Sequence, residues 1–310
     1  MYWVLAIFLA FALLIWAISA IKQSRWAASH PPIGQFVEVE GKRLHYVKIG
    51  TGPPLIALHG AGGNLRDFTF TLTDQIKDQY TVYAFDRPAH GYSDVFNPNG
   101  ESLTEQARII VKAAQALGIE RAAVIGYSFG GSVAMAMALD HPNFVQGLAL
   151  IAAPIHTWPD NTVAPTYRIA AAPIIGPVAM NLAYALLPNS YFVDAYNSVF
   201  TPQTSPEGFI EYVGIGLTMK PQTFVANARQ VVALAPQIKE MLKRYHQLDL
   251  RIELVHGAAD QSVNLGYHSA DFISQFGSPK VDKHYINGMG HGILQLSQPE
   301  IIEALKRLFK

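Results

Sequence analysis

Ala122-Ala-Val-Ile-Gly-Tyr-Ser-Phe-Gly-Gly-Ser-Val-Ala-Met135 is the stretch on which the reading of this chain turns. A short apolar run leads into Gly126-Tyr127-Ser128-Phe129-Gly130, and an Ala/Met-rich helical stretch follows. A serine at a sharp strand-to-helix turn sits in a strained backbone conformation with its hydroxyl projecting, and only small residues two positions to either side avoid a clash. Gly126 and Gly130 fill those positions.

A serine hydroxyl is a weak nucleophile until a base takes its proton, and the base must be held in one tautomer by a third group. In an elbow of this kind the partners follow the serine in the order acid, then histidine, each on a loop after a later strand. Arg251-Ile-Glu-Leu-Val-His-Gly257 is a β-rich run with Asp260 just beyond it. Lys283-His-Tyr-Ile-Asn287 is another strand candidate, followed by Gly288-Met-Gly-His291-Gly292, where glycines let His291 approach closely. Asp271 and Asp282 lie in less suitable places, in a helix-like stretch and ahead of a strand. His59, His141 and His256 read as structural, and Asp86 with His90, which precede the serine, read as turn-stabilising.

Pro54-Leu-Ile-Ala-Leu58 followed by His59-Gly60-Ala61-Gly62-Gly63 supplies a fourth part. Together these motifs resemble the α/β-hydrolase fold family, in the group with a helical lid between the serine and the acid. The resemblance runs from about Gly34 to the C-terminus and includes Asp86-Arg87-Pro88, a structural turn in the family. It implies that the amides of Ala61 and Phe129 form an oxyanion hole next to the Gly60 turn, with Ser128, Asp260 and His291 as the triad. Epoxide hydrolases and haloalkane dehalogenases are similar in outline but attack with an aspartate, which Ser128 argues against.

The expected fold class is α/β: a mostly parallel, eight-stranded-type sheet with a helical cap. Apolar runs at about 54–58, 82–86, 122–126, 148–152, 252–256 and 283–287 alternate with helical patterns. Residues 36–47 alternate around a Gly turn and predict a hairpin at the sheet's start. The core is assigned to 36–153 and 238–310 and the lid to 154–237, where Pro154, Pro159, Pro165, Pro173, Pro177 and Pro188 break the chain into short helices. Within the lid, Ile169 to Leu187 is strongly apolar. Its interruptions at Pro173, Gly176, Pro177 and Asn181 suit a folded cap better than a second span, and its greasy wall could also touch a bilayer.

Residues 2–21 carry no charge, and twenty residues at ~1.5 Å rise span ~30 Å, the thickness of a bilayer's hydrocarbon core. The segment lacks the basic start and short apolar stretch of a secretory signal, so a retained anchor over 1–21 is favoured over cleavage after Ala20. Trp3, Trp16 and Trp26 are placed like interfacial aromatics, and Lys22 and Arg25 flank only the C-terminal side. Two cations leave the side of the membrane open. Residues 22–35 read as a tether with a Pro-Pro break.

With 23 basic and 23 acidic residues the net charge is zero, which gives no footprint for nucleic acid and favours a neutral, fairly apolar small-molecule substrate. No cysteine, zinc-binding helix or phosphate loop occurs, and the start of a dinucleotide fingerprint at Gly60 fails at Leu65, so no metal or cofactor is expected. The expected chemistry is hydrolysis of an ester or related acyl bond. Carbon-carbon hydrolysis, perhydrolysis and acyl transfer use the same triad, and a non-catalytic tethered binder is the alternative of another class.

Overall fold

The computed structural model describes residues 2–159, 163–277 and 279–309; positions 1, 160–162, 278 and 310, which fall within the expected ranges, lie outside the described residues. Eight strands form one sheet: β1 (Gln35–Val39), β2 (Lys42–Ile49), β3 (Pro54–Leu58), β4 (Thr81–Phe85), β5 (Ala122–Tyr127), β6 (Val145–Ile151), β7 (Arg251–Gly257) and β8 (Val281–Ile286). Their order is β1-β2-β4-β3-β5-β6-β7-β8. β1 and β2 form an antiparallel hairpin, β2 joins β4 antiparallel, and all later pairings are parallel, which gives the mostly parallel sheet the sequence implies. At the hairpin turn Glu40 and Gly41 have φ of 55° and 75°, the positive values that a tight turn matched to strand twist demands.

The central strands are buried along their whole length because helices cover both faces. Ile56, Leu58, Val124 and Leu148 pack on one side with the helices Leu103–Ala116 and Phe129–Asp140. Leu55, Ala57, Ile125 and Ile151 pack on the other with Ile301 and Leu305 of the helix Gln298–Leu308. Successive residues thus point to opposite cores, and the C-terminal ends of β3, β5, β7 and β8 share one edge of the sheet.

Between β6 and β7 the described residues form helices and no strand: Pro165–Ala171, Ile175–Leu186, Asn189–Asn197, Phe209–Val213, Ile215–Thr218, Pro221–Val232 and Leu234–Leu242. Pro165 and Pro221 stand in the first turn of their helices, where a missing N–H costs nothing.

The N-terminal helix runs Tyr2–Ser29 and is long and apolar enough to cross a membrane. Its length corrects the expected tether over 22–35. Nothing in Lys22–Ser29 breaks a helix before Pro31, and this part is docked on the helices of the 154–237 segment. Ile15 and Ser19 are buried, and the Trp26 ring lies so close to Gly216 that any side chain there would overlap it. Trp26 is therefore a packing residue rather than a free interfacial one.

At the end of β5, Ser128 adopts φ 50° and ψ −124° before the helix Phe129–Asp140 begins. A Cβ on Gly126 would lie 2.5 Å from the Gly130 carbonyl oxygen, and one on Gly130 would overlap the Leu58 carbonyl. Both glycines are required by the closeness of the three segments. Gly130→Ala is expected to lower unfolding free energy by at least ~1–3 kcal/mol through overpacking. Urea titration of the detergent-solubilised chain measures this, and an unchanged midpoint would contradict the crowding described.

Candidate active site

Ser128 sits where β5 turns into its helix, and its amide donates to the Ile151 carbonyl on neighbouring β6 (2.8 Å), which ties the turn to the sheet. Asp260 follows β7 and His291 follows β8, and the structure brings both to the serine. His291 Nδ1 is 2.7 Å from Asp260 Oδ2, and His291 Nε2 is 3.0 Å from Ser128 Oγ. With Nδ1–H donated to the carboxylate, Nε2 is free to accept the serine proton. All three residues are buried.

Burial alone would raise the Asp260 carboxyl, but hydrogen bonds from facing His256 and His291 and from the Val263 amide outweigh it and hold the group well below the ordinary carboxylate range. Its Oδ1 accepts from the amides of Ser262 and Val263, both at 2.8 Å, which fixes the carboxylate against the loop. His256, read as structural from sequence, packs behind it with Nε2 3.4 Å from Oδ2. On the other side, the Tyr127 hydroxyl donates to the His291 carbonyl (2.9 Å) and its ring lies 5.3 Å from the imidazole.

The Phe129 amide is the first of its helix, where no intrahelical acceptor exists. The loop carrying Ala61 comes so near that a Cβ on Gly60 would be 3.0 Å from Ser128 Cβ. Arg87 holds this loop: Nε donates to His59 O (2.8 Å), Nη2 to Gly60 O (2.9 Å), and the guanidinium lies 4.6 Å from the Phe129 ring centre. Arg87 is fully buried, and that burial lowers the guanidinium to about 9 against the opposing pull of Glu101 and Asp67. From the other side, Asn227 of the helix Pro221–Val232 accepts from the Gly62 amide (2.9 Å). Neither contact was readable in advance, because the sequence marks Asp86-Arg87-Pro88 only as a turn and Asn227 not at all.

The rival acids and bases lie elsewhere. Asp86 is bound to His45 Nδ1 (2.7 Å) and to the amides of Leu65 and Tyr92, and Asp282 pairs with Arg251. His90 Nδ1 bonds the Pro88 carbonyl.

A cavity of about 50 Å³ adjoins Ser128 and His291, roofed by Tyr196, Val199, Phe200 and Phe209 from the helical segment. Two polar residues also line it, Asp67 and Gln295. The Asp67 carboxyl accepts from Tyr196 OH (3.3 Å), and burial pushes it up to about 7. Gln295 Oε1 is buried without a hydrogen-bond partner. Sequence reading missed both residues, since an acid between Arg66 and Phe68 and a glutamine in a helical pattern carry no local sign of facing a cavity.

The family described as alpha/beta hydrolase fold matches residues 53–171. The dihydrolipoyllysine-residue acetyltransferase component of an acetoin cleaving system from Cupriavidus necator is 39% identical over 120 residues, 38% of this chain and 31% of that protein. The chain thus spans about a third of that relative's length. Among solved structures, an alpha/beta hydrolase fold protein from Burkholderia ambifaria superposes with a TM-score of 0.71 at 18% identity, covering 88% of this chain and 97% of its own. The esterase RhEst1 from Rhodococcus sp. gives 0.67 at 22% identity, with 90% and 99% covered. At these identities the likeness to the solved structures is one of fold. Taken with the sheet order and the matched motif region, it shows that this chain has the α/β-hydrolase fold.

Proposed function

We propose that the chain is a membrane-anchored serine hydrolase that cleaves an ester, or a related acyl bond, of a neutral and fairly apolar substrate. The observation that carries this reading is the unbroken relay from Asp260 through His291 to Ser128 at a strained strand-to-helix turn. In the proposed cycle Ser128 Oγ attacks the carbonyl carbon while His291 Nε2 takes its proton. The oxygen that becomes negative faces the amides of Ala61 and Phe129. His291 then protonates the leaving alcohol, and water, deprotonated by the same nitrogen, releases the acid and restores the serine. Asp260 keeps Nδ1 protonated and stabilises the imidazolium. Phe200, Phe209 and Val199 give the substrate an apolar wall and exclude water. The segment 154–237 acts as the lid, and the helix Tyr2–Ser29 supplies the anchor.

Hydrolysis of a p-nitrophenyl ester series from acetate to palmitate tests this reading. Ser128→Ala is expected to remove turnover while leaving the melting temperature near that of the parent. Asp260→Asn should reduce turnover by a factor on the order of 10⁴, as when the triad acid is amidated in serine proteases. Parent-like activity in either variant would overturn the assignment of that residue.

Asp67 makes a separate, pH-dependent expectation. Its folded value of about 7 lies above the ordinary 3.8, so between these values the folded state holds a proton that the unfolded chain releases. The stabilisation is complete below the unfolded value and is lost as pH rises through the folded one. Asp86, Arg87 and Tyr196 are the charged and titratable groups acting on it. Asp67→Asn, neutral at every pH, should therefore show a smaller fall in melting temperature between pH 5 and 8 than the parent. Parallel curves for the two proteins would show that Asp67 does not titrate in this window.

A further inference from the structure

The N-terminal helix and the lid are docked along a common line. Ser19 Oγ donates to Asn181 Oδ1 (3.2 Å), and Lys22 Nζ donates to the carbonyls of Tyr184 (3.0 Å) and Leu187 (2.9 Å). Residue 19 faces 181 and residue 22 faces 184–187, so the lid helix Ile175–Leu186 runs parallel to the N-terminal helix. Lys22 thereby satisfies end carbonyls of the lid helix that have no partner within it.

This docking conflicts with an anchor that enters the bilayer clear of the protein. The contact begins at buried Ile15, so only residues 2–14 are unencumbered, and thirteen residues span ~20 Å of a hydrocarbon core ~30 Å thick. The missing ~10 Å corresponds to residues 15–21, the stretch on which the lid helix lies. If residues 2–21 cross the core, the lid helix must share that depth.

Its chemistry fits such a place. Ile169 through Leu187 carries no charge, and Ile174, Ile175 and Val178 are 80%, 65% and 58% exposed. Because the two helices run parallel, these residues lie at the end farthest from Lys22 and so deepest. The helices Pro165–Ala171 and Ile175–Leu186 bend by 115° at this point, and Gly176 N–H still bonds the Ala172 carbonyl across the bend (3.0 Å). Lipid tolerates a turn at depth only where such backbone groups find partners.

We propose that the lid is itself a lipid-contacting element, its bend at Ala172–Ile174 and the exposed face of Ile175–Leu186 lying in the hydrocarbon of the leaflet next to Lys22. Resting on the esterase reading above, this makes the substrate class bilayer-resident esters that reach Ser128 from that leaflet. The roof residues Tyr196, Val199 and Phe200 lie in the next helix, Asn189–Asn197, and in the turn that follows it.

The chain has no cysteine, so single labels can be placed cleanly. The full chain carrying Leu5→Cys, Ile174→Cys, Val178→Cys or Glu120→Cys is labelled with a nitrobenzoxadiazole dye and reconstituted in phosphatidylcholine vesicles containing acyl-chain spin-labelled lipid. Glu120 precedes β5 on the sheet edge opposite the active site and serves as the aqueous control. Quenching at least threefold above the Glu120 control is expected at 5, 174 and 178. Control-level quenching at 174 and 178 with strong quenching at 5 would overturn the lid's immersion and leave the anchor standing. Control-level quenching at 5 as well would remove both.

The substrate arm compares I174S/V178S with the parent. At least a fivefold loss is expected on 4-methylumbelliferyl palmitate held in vesicles, and less than a twofold change on soluble 4-methylumbelliferyl acetate. Equal effects on the two esters would overturn delivery from the leaflet. Absence of Ser128-dependent turnover of either ester would instead count against the esterase reading, with the quenching result still deciding the lid's position.

Discussion

Three chain segments meet around Ser128 with no space for side chains between them. The end of β3, the end of β5 and the first turn of the helix Phe129–Asp140 approach so closely that glycines stand at 126 and 130. That crowding holds Ser128 at a positive φ, which non-glycine residues adopt only where the surroundings force it. The strain has a geometric return. It aims the hydroxyl away from the sheet, starts a helix with a free amide beside it, and brings Gly60 against the serine side chain. The projecting hydroxyl of Ser128 and the first-turn amide beside it are thus consequences of a single packing constraint.

A buried polar network stabilises what that constraint brings together. Arg87 is wholly enclosed, and its donors reach His59 O, Gly60 O, Gln106 Oε1 and Gln230 Oε1. A buried guanidinium is tolerated only when its hydrogen bonds are met, so the carbonyls of the Ala61 loop have little freedom to turn. On the acid side, Asp260 is fixed by two backbone amides as well as by His291. The site is rigid because its charged members are desolvated and fully engaged, which is the condition for electrostatic preorganisation.

The parts legible in the sequence were those with a local signature. Ser128 stands between spaced glycines, His291 in a glycine-rich loop, Asp260 just after a β-rich run, and the alternating apolar segments fixed the parallel sheet and its opening hairpin. What escaped depends on contacts between residues far apart in the chain. Asn227 is 165 positions from Gly62, and Arg87 differs from other buried turn residues only in which carbonyls it meets. The end of the first helix was misjudged for the same reason. Hydropathy falls after residue 21, but the helix persists because Ser19, Lys22 and Trp26 find partners in the 154–237 segment, which no local pattern announces.

The hydrogen bond from Gly62 to Asn227 joins two segments far apart in the chain. Its donor lies two residues after Gly60 and its acceptor in the helix Pro221–Val232, so a displacement of that helix reaches the loop. If that helix moved away, water would replace the acceptor at the half-buried amide, at a net cost of about 0.5–1.5 kcal/mol. Movement of that helix is thus felt at Gly62, while Arg87 keeps its hold on the His59 and Gly60 carbonyls, so the loop answers to two separate elements of the fold.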